Sequence, residues 1–269
     1  MKDFNIPFQR HLLLLKENRV EFEVLEKDGT TFVRSVNVKK LFLGRNTSRN
    51  IEGTKESLDA LRAEGYSVHG NPNVCTKSRY LLTNEDSIEV QGPQTSGEVE
   101  YVAIFSGGDI FISVGSDHND RSLYYLWTQA LGKVADTAKS KQMCPAVIAK
   151  SAWRYEDVKD HWDQLNLKSF VTVTGSRVPY QDFTLVDLVD LEYHLQTNPS
   201  LREDGTVIYG GSSQMLANIP SNVFQGQSSI QGLIFPPDFS FELVDPVLKR
   251  KISHSYSIVS LEEVGSLSL

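Results

Sequence analysis

The apolar residues of this chain fall mostly in short period-two runs separated by turn residues, and that pattern limits the fold more than any other feature. Val20, Phe22 and Val24 alternate with polar positions, Lys27-Asp28-Gly29 supplies a turn, and Phe32, Val36 and Val38 resume on the far side. A β-hairpin is therefore predicted over 19–38. Residues 98–105 and 109–114 make a second pair of strands around Ser106-Gly107-Gly108, and further strands are expected at 170–174, ahead of a turn at Gly175, and at 206–209. Phe239, Phe241 and Leu243 alternate before Asp245-Pro246, while Ile252, Tyr256 and Ile258 keep one parity after it, so these two strands return on each other.

Helical signals are fewer. Leu58 and Leu61 sit at helical spacing within 54–64, with Thr54 in the N-cap place and Gly65 at the end. Leu123, Leu126, Trp127, Ala130, Leu131 and Val134 trace one buried stripe, opened by Asn119 or Asp120 as cap, and a third helix is expected over 184–195. Strict βαβ alternation is missing, so the chain reads as α+β, rich in short antiparallel strands, and a Rossmann fold or TIM barrel is disfavoured. Gly70, Pro72, Gly92 and Pro93 surround short β-like pieces such as Tyr80-Leu81-Leu82. At 269 residues the chain is long enough for about 1.8 average domains. The expected division is a small N-terminal β-hairpin/helix domain over 1–69 and a larger β-rich domain over 70–269.

Composition narrows the function classes. With 27 Lys+Arg against 34 Asp+Glu the net charge is −7, and no run of five basic residues is present, so nucleic acid is not an expected partner. The most apolar N-terminal stretch, Leu12 to Leu15, is too short for a signal sequence or a membrane span. The two cysteines, Cys75 and Cys144, are far apart and lack CxxC spacing, which suits a reducing compartment. A cytoplasmic protein without a membrane partner is expected.

Glu98-Val99-Glu100 lies on a predicted strand, where alternation points both carboxylates to one face. Asp117 follows at the end of the next strand, and three hard oxygen donors without thiolates or paired histidines suit Mg²⁺ or Mn²⁺ rather than zinc. An acid-x-acid pair is common in a chain with this many acids, and an aspartate before a helix is commonly a cap, so spacing alone does not settle the matter.

The order Glu98-x-Glu100, Ser116-Asp117-x-x-x-Arg121, Lys141-Gln142-Met143-Cys144-Pro145, Val173-Thr174-Gly175 and Gly205-Thr206-Val207-Ile208-x-x-Gly211-Ser212 resembles the fumarylacetoacetate hydrolase superfamily. The nearest likeness is to an uncharacterised branch carrying Thr95-Ser96-Gly97-Glu98-Val99-Glu100, Gly115-Ser116-Asp117-His118 and Ser140 through Pro145, and it spans about 41–260. The resemblance implies a mixed β-roll of the superfamily's C-terminal type, commonly homodimeric, with the small N-terminal β/α domain beside it. It implies Glu98, Glu100 and Asp117 as ligands of Mg²⁺ or Mn²⁺, and Arg121 as partner of a substrate carboxylate or enolate oxygen. Lys141 is the implied catalytic lysine, with Lys139 as alternate. Gly211 and Ser212 would line the substrate site, with Ser213 where the family has proline.

Gly44-Arg45-Asn46 resembles the start of the segment that brings a histidine and a glutamate to the superfamily's hydrolases as general base. Counting forward, those positions hold Asn50 and Gly53, and asparagine takes no proton at neutral pH. His118, Glu52 and His69 are the replacement candidates. The other histidines, His11, His161, His194 and His254, have no metal spacing or catalytic company. The function implied is a divalent-metal-dependent enzyme acting on a small 2-oxo acid or 1,3-dicarbonyl compound through an enolate-like state. C–C hydrolysis leads, with decarboxylation, hydration and tautomerisation beside it. The alternative is a ligand-binding protein on the same fold that has lost the base.

Overall fold

A computed structural model describes residues 17–63, 73–124, 137–213, 216 and 235–262. Its larger sheet has ten strands. Eight form one hydrogen-bonded path: β2 (Thr31–Asn37), β1 (Arg19–Leu25), β12 (Ser151–Arg154), β9 (Asp109–Asp117), β8 (Val99–Ser106), β15 (Thr206–Tyr209), β3 (Lys40–Arg45) and β4 (Asn73–Lys77). Off the path, β11 (Ala146–Ile148) joins β9 to β5 (Leu82–Thr83). A five-stranded sheet packs against it in the order β14 (Ser176–Thr184), β13 (Asn166–Val173), β16 (Asp238–Asp245), β17 (Arg250–Ser260) and β6 (Ser87–Val90). A two-stranded pair, β7 (Thr95–Ser96) with β10 (Asn119–Asp120), closes one end of β8 and β9.

The predicted hairpins form where the turn chemistry placed them. β1 and β2 pair antiparallel around Gly29, whose φ of +85° suits the turn, with Thr30 N–H donating to Asp28 Oδ1 at 2.9 Å. β8–β9 and β16–β17 pair as the alternation requires, and the 206–209 strand is β15. Strands on the N-terminal side of residue 70 share the large sheet with later ones: β1 runs parallel to β12 and β3 parallel to β15.

Helix boundaries differ from expectation for local reasons. The first helix, α1 (Ile51–Ala63), starts three residues before Thr54, because Asn50 Oδ1 accepts from Gly53 N–H at 3.0 Å and takes the cap. Instead of one helix over 184–195, β14 runs to Thr184 and a 3₁₀ turn covers Leu185–Asp187. A helix over Leu191–Thr197 then starts under Asp190, which accepts from Tyr193 N–H at 2.7 Å. Leu185, Leu188, Leu191 and Leu195 are all buried, so their spacing imitates a single helical stripe. Tyr80-Leu81 belong to a 3₁₀ turn rather than a strand. Most of the stripe from Leu123 to Val134, Gly65, His69 and the Leu12–Leu15 stretch lie outside the described residues.

β8 is buried along its whole length, so its two faces line different cores. Val99, Tyr101, Ala103 and Phe105 belong to the core against the five-stranded sheet, together with Ile112 and Val114 of β9. Val102, Ile104 and Phe111 belong to the second core, with β1, β3 and β15.

At the β16–β17 turn, the fully buried Asp245 carboxylate accepts from the N–H groups of Val247 and Leu248, each at 3.0 Å. It also meets His161 Nε2 at 3.0 Å and Arg250 Nε at 3.2 Å. Burial pushes this carboxyl up, but the Leu248 N–H, His161 and Arg250 more than offset it and hold it below the ordinary value. The Asp245 contribution is therefore present above the unfolded carboxyl's pKa of about 3.9 and is lost as pH falls through the lower folded value. Asp245→Ala is expected to lower unfolding free energy by about 3 kcal/mol at pH 7, with the deficit shrinking toward pH 3, in urea titrations at both pH values.

Candidate active site

The site follows from strand parity where β8 and β9 end beside each other. Val99 pairs with Ser116 and Glu100 with Gly115, so Glu100 and Asp117 share the face that carries Val102, Ile104 and Phe111. Gly115 has to lack a side chain: a Cβ there would stand 2.5 Å from the Val147 carbonyl oxygen and 2.7 Å from the Tyr209 ring. Tyr209 lies over this gap, its hydroxyl donating to Val147 O at 2.9 Å.

Asp117 is fully buried between two ammonium groups. Lys77, whose side chain is 1% exposed, donates from Nζ to Oδ1 at 2.9 Å, and Lys141 Nζ donates to Oδ2. Lys141 also reaches Glu98 Oε2 at 3.5 Å. Arg121 binds Glu98 Oε1 through Nη2 and Ser96 Oγ through Nε. Lys141 comes from α2 (Thr137–Gln142), which packs against β4 and β10. Lys139 is exposed on the same short helix, because two residues turn an α-helix through about 200°. Of the two lysines suggested by sequence, the structure brings Lys141 to the acids.

Burial pushes the Asp117 carboxyl up, but Lys141 and Lys77 hold it below the ordinary value. The same competition, won by Lys141 and Arg121, keeps Glu98 low. Glu100 differs. Its Oε2 accepts the Gly211 N–H at 2.6 Å, and none of the ion pairs given for the described residues includes it. Burial, reinforced by the charges of Asp117 and Glu98 and only partly opposed by Lys141, pushes it up to about 8.

Adjacent to Asp117, His118 projects to the opposite face. Nδ1 lies 2.9 Å from Tyr256 Oη and Nε2 lies 2.7 Å from Thr95 Oγ1. Tyr256 donates to Ser116 Oγ at 2.9 Å, so its oxygen accepts from His118 Nδ1–H and Nε2 accepts from Thr95. Burial first, then Lys77, lowers this imidazole to about 3. His118, one of the three candidates for the base, is thus a neutral ring with both nitrogens engaged on the face away from the acids. Glu52 is exposed on α1. Asn50 and Gly53, where the resemblance expects histidine and glutamate, are joined as cap and first-turn donor of α1.

Gly211, at φ +97°, lies against Thr47: a Cβ there would be 1.8 Å from Thr47 Oγ1. Ser212 Oγ donates to Val99 O at 2.8 Å and accepts from Gln181 Nε2 at 2.8 Å. Sequence reasoning missed both Lys77 and Gln181. Lys77 ends a five-residue strand in a stretch that reads as irregular chain, and Gln181 sits on a strand with no motif; no local signal marks either.

Three carboxylates offer the hard oxygen donors that Mg²⁺ or Mn²⁺ takes, and Glu100 is a buried acid short of positive charge. As the side chains stand, the Lys141 ammonium lies between Glu98 and Asp117, and among the described residues no three His, Cys, Asp or Glu converge as a metal-holding group. The donor set fits the ion in kind, and the flexible Lys141 side chain is what would have to give way. In the metal-free protein, Lys77→Met leaves Asp117 with one buried partner fewer and is expected to cost about 3 kcal/mol of stability in urea unfolding.

A family model described as protein of unknown function (DUF2848) matches residues 44–256. Nothing matches among the curated proteins. Solved structures share the fold at low identity. A fumarylacetoacetate hydrolase family protein from yeast aligns at 14% identity over 83% of this chain and 94% of its own, with a TM-score of 0.52. A 2-keto-3-deoxy-D-arabinonate dehydratase complexed with magnesium and 2,5-dioxopentanoate aligns at 12% identity over 85% and 76%, also with a TM-score of 0.52. Cg1458 in complex with an inhibitor aligns at 16% identity over 86% and 83%, with a TM-score of 0.53. The α+β architecture described above is that of the fumarylacetoacetate hydrolase fold.

Proposed function

The chain belongs to the DUF2848 family, and from that premise we propose that it is a divalent-metal-dependent enzyme acting on a small 2-oxo acid or 1,3-dicarbonyl compound through an enolate-like state. The observation that carries this reading is the buried charge cluster, in which Asp117 is held by Lys77 and Lys141 while Glu98 is held by Lys141 and Arg121. Burying that many ionised groups is a poor route to stability, and such clusters concentrate at functional sites. Glu98, Glu100 and Asp117 balance Lys77, Lys141 and Arg121 in formal charge when all are ionised. A divalent cation would therefore enter most readily together with an anionic ligand, as a 2-oxo acid is. The magnesium-bound dehydratase of the same fold supports a metal of this kind.

Bound there by Glu98, Glu100 and Asp117, Mg²⁺ or Mn²⁺ would supply Lewis-acid polarisation of two substrate oxygens. Lys141, released from Asp117, would place its ammonium against the oxygen that gains charge. Arg121 would orient the substrate carboxylate from the open side of Glu98, which is 27% exposed. With a cap at Asn50 instead of a base, reactions that need enolate stabilisation are served directly, whether C–C cleavage, decarboxylation, hydration or tautomerisation. The second reading, a ligand-binding protein without catalysis, is favoured by that same cap. Turnover of acylpyruvates, oxaloacetate and sugar-derived 2-oxo acids with Mg²⁺ or Mn²⁺ separates the two, since binding without turnover supports the second. The resemblance also carries a homodimer into this reading, and the two free cysteines a cytoplasmic location.

Calorimetric titration with Mg²⁺ tests the metal. Glu98→Gln and Asp117→Asn should each weaken it by on the order of a hundredfold or more, since losing an outer partner alone commonly costs about ten- to a hundredfold. Unchanged affinity in both variants overturns the reading. Because the Glu100 carboxyl sits near 8 and must ionise to ligate, Mg²⁺ uptake by wild type should release a proton at pH 7. Affinity should therefore rise with pH up to about 8 and level off above it. Glu100→Gln should remove that proton release.

A further inference from the structure

We infer that Gln181 is a positioning residue, tying the loop Gly211–Ser213 to the acid-bearing end of β8 so that the two sides of the site hold one geometry; this rests on the reading of the site given above. Gln181 stands on β14, in the sheet that carries none of the acids, and is 1% exposed. Its Oε1 accepts from Val99 N–H at 2.9 Å and from Ser169 Oγ at 3.0 Å. Its Nε2 donates to Ser212 Oγ and to Ser213 O, each at 2.8 Å. Both donors and both acceptor positions of the carboxamide are filled, which fixes its orientation: a flipped amide would set N–H against the Val99 N–H and C=O against the Ser213 carbonyl.

The loop needs this link because its own ladder stops short. β15 pairs with β8 only as far as Tyr209 with Val102, and Gly210 N–H adds one bond to Tyr101 O at 3.0 Å. Gly211 then turns away at φ +97°. Beyond that point, side chains replace the ladder. Ser212 Oγ takes the Val99 carbonyl and Gln181 takes the Val99 N–H, so both backbone groups of the residue between Glu98 and Glu100 are read by the link. Gly211 N–H meets Glu100 itself. A displacement of the loop would pull on the Val99 peptide and on the Glu100 carboxylate together.

Gln181→Glu keeps the acceptor toward Val99 but supplies at most one proton where the amide supplies two, so it loosens the loop side selectively. Amide hydrogen exchange is expected to rise about tenfold or more at Gly211 and Ser213, with Leu167 and Val171 of β13 unchanged. With saturating Mg²⁺, oxalate affinity should fall about tenfold while Mg²⁺ affinity alone stays within about threefold, a split that general destabilisation would not produce. Exchange that stays at the wild-type rate in the loop, or rises evenly through β13 and β14, overturns the inference. Should Gln181→Glu fail to fold, Ser212→Ala breaks the same link from the loop side and must give the same loop-confined exchange. If wild type binds neither Mg²⁺ nor oxalate, the proposed function fails, while the exchange pattern still decides the role of Gln181.

Discussion

The Asp117 carboxylate, fully buried between the ammonium groups of Lys77 and Lys141, is the constraint on which the rest of the site depends. An ionised carboxylate in such a place is tolerable only with charged donors on it, so the chain must deliver two lysines from distant elements. Lys77 arrives because β4 pairs with β3, which is itself held in the sheet by β15. Lys141 arrives because α2 packs against β4 and β10. The N-terminal strands thus brace one wall of the cluster, and a defect in β3 would be felt at Asp117.

Parity along β8 and β9 divides the work. One face carries Glu100 and Asp117, with Lys77 and Lys141 on Asp117; the other carries Val99, Ser116 and His118 toward the five-stranded sheet. On that second face the hydrogen bonds run from Thr95 through His118 and Tyr256 to Ser116, and from the Val99 N–H to Gln181 Oε1, so the smaller sheet grips the acid strands from behind. The arrangement accounts for a histidine that follows an acid in sequence yet points away from it, toward Thr95 and Tyr256. Adjacent strand residues cannot share a face, and burial makes the neutral imidazole the stable form.

Around Asn50 the backbone that could present a general base is instead organised as a helix start. The Arg49 guanidinium, paired with Asp163 and the Leu188 carbonyl, anchors the turn just before it. On the proposed reading, the cations and a bound metal are the groups that stabilise the developing charge. That weights the chemistry toward steps in which enolate formation is the demanding event.

Much of the architecture was legible in the sequence because it is encoded locally. Lys27-Asp28-Gly29, Ser106-Gly107-Gly108 and the period-two runs around them specify hairpins through turn geometry and the alternation of side chains, and the α+β class followed from them. Glu98, Glu100 and Asp117 were legible as candidates because one strand face and one strand end bring them within reach without any long-range information. Helix limits were less legible: a cap at Asn50 or Asp190 competes with equally plausible neighbours, and buried leucines spaced for a helix also fit a strand end followed by a turn. What only the tertiary structure decided is who faces the acids: Lys77 rather than a surface residue, Lys141 rather than Lys139, His118 turned away, and Gln181 reaching across from the other sheet. These are pairings between segments tens of residues apart. Sequence separation carries no sign of them until parallel strands and packed sheets bring the segments into contact.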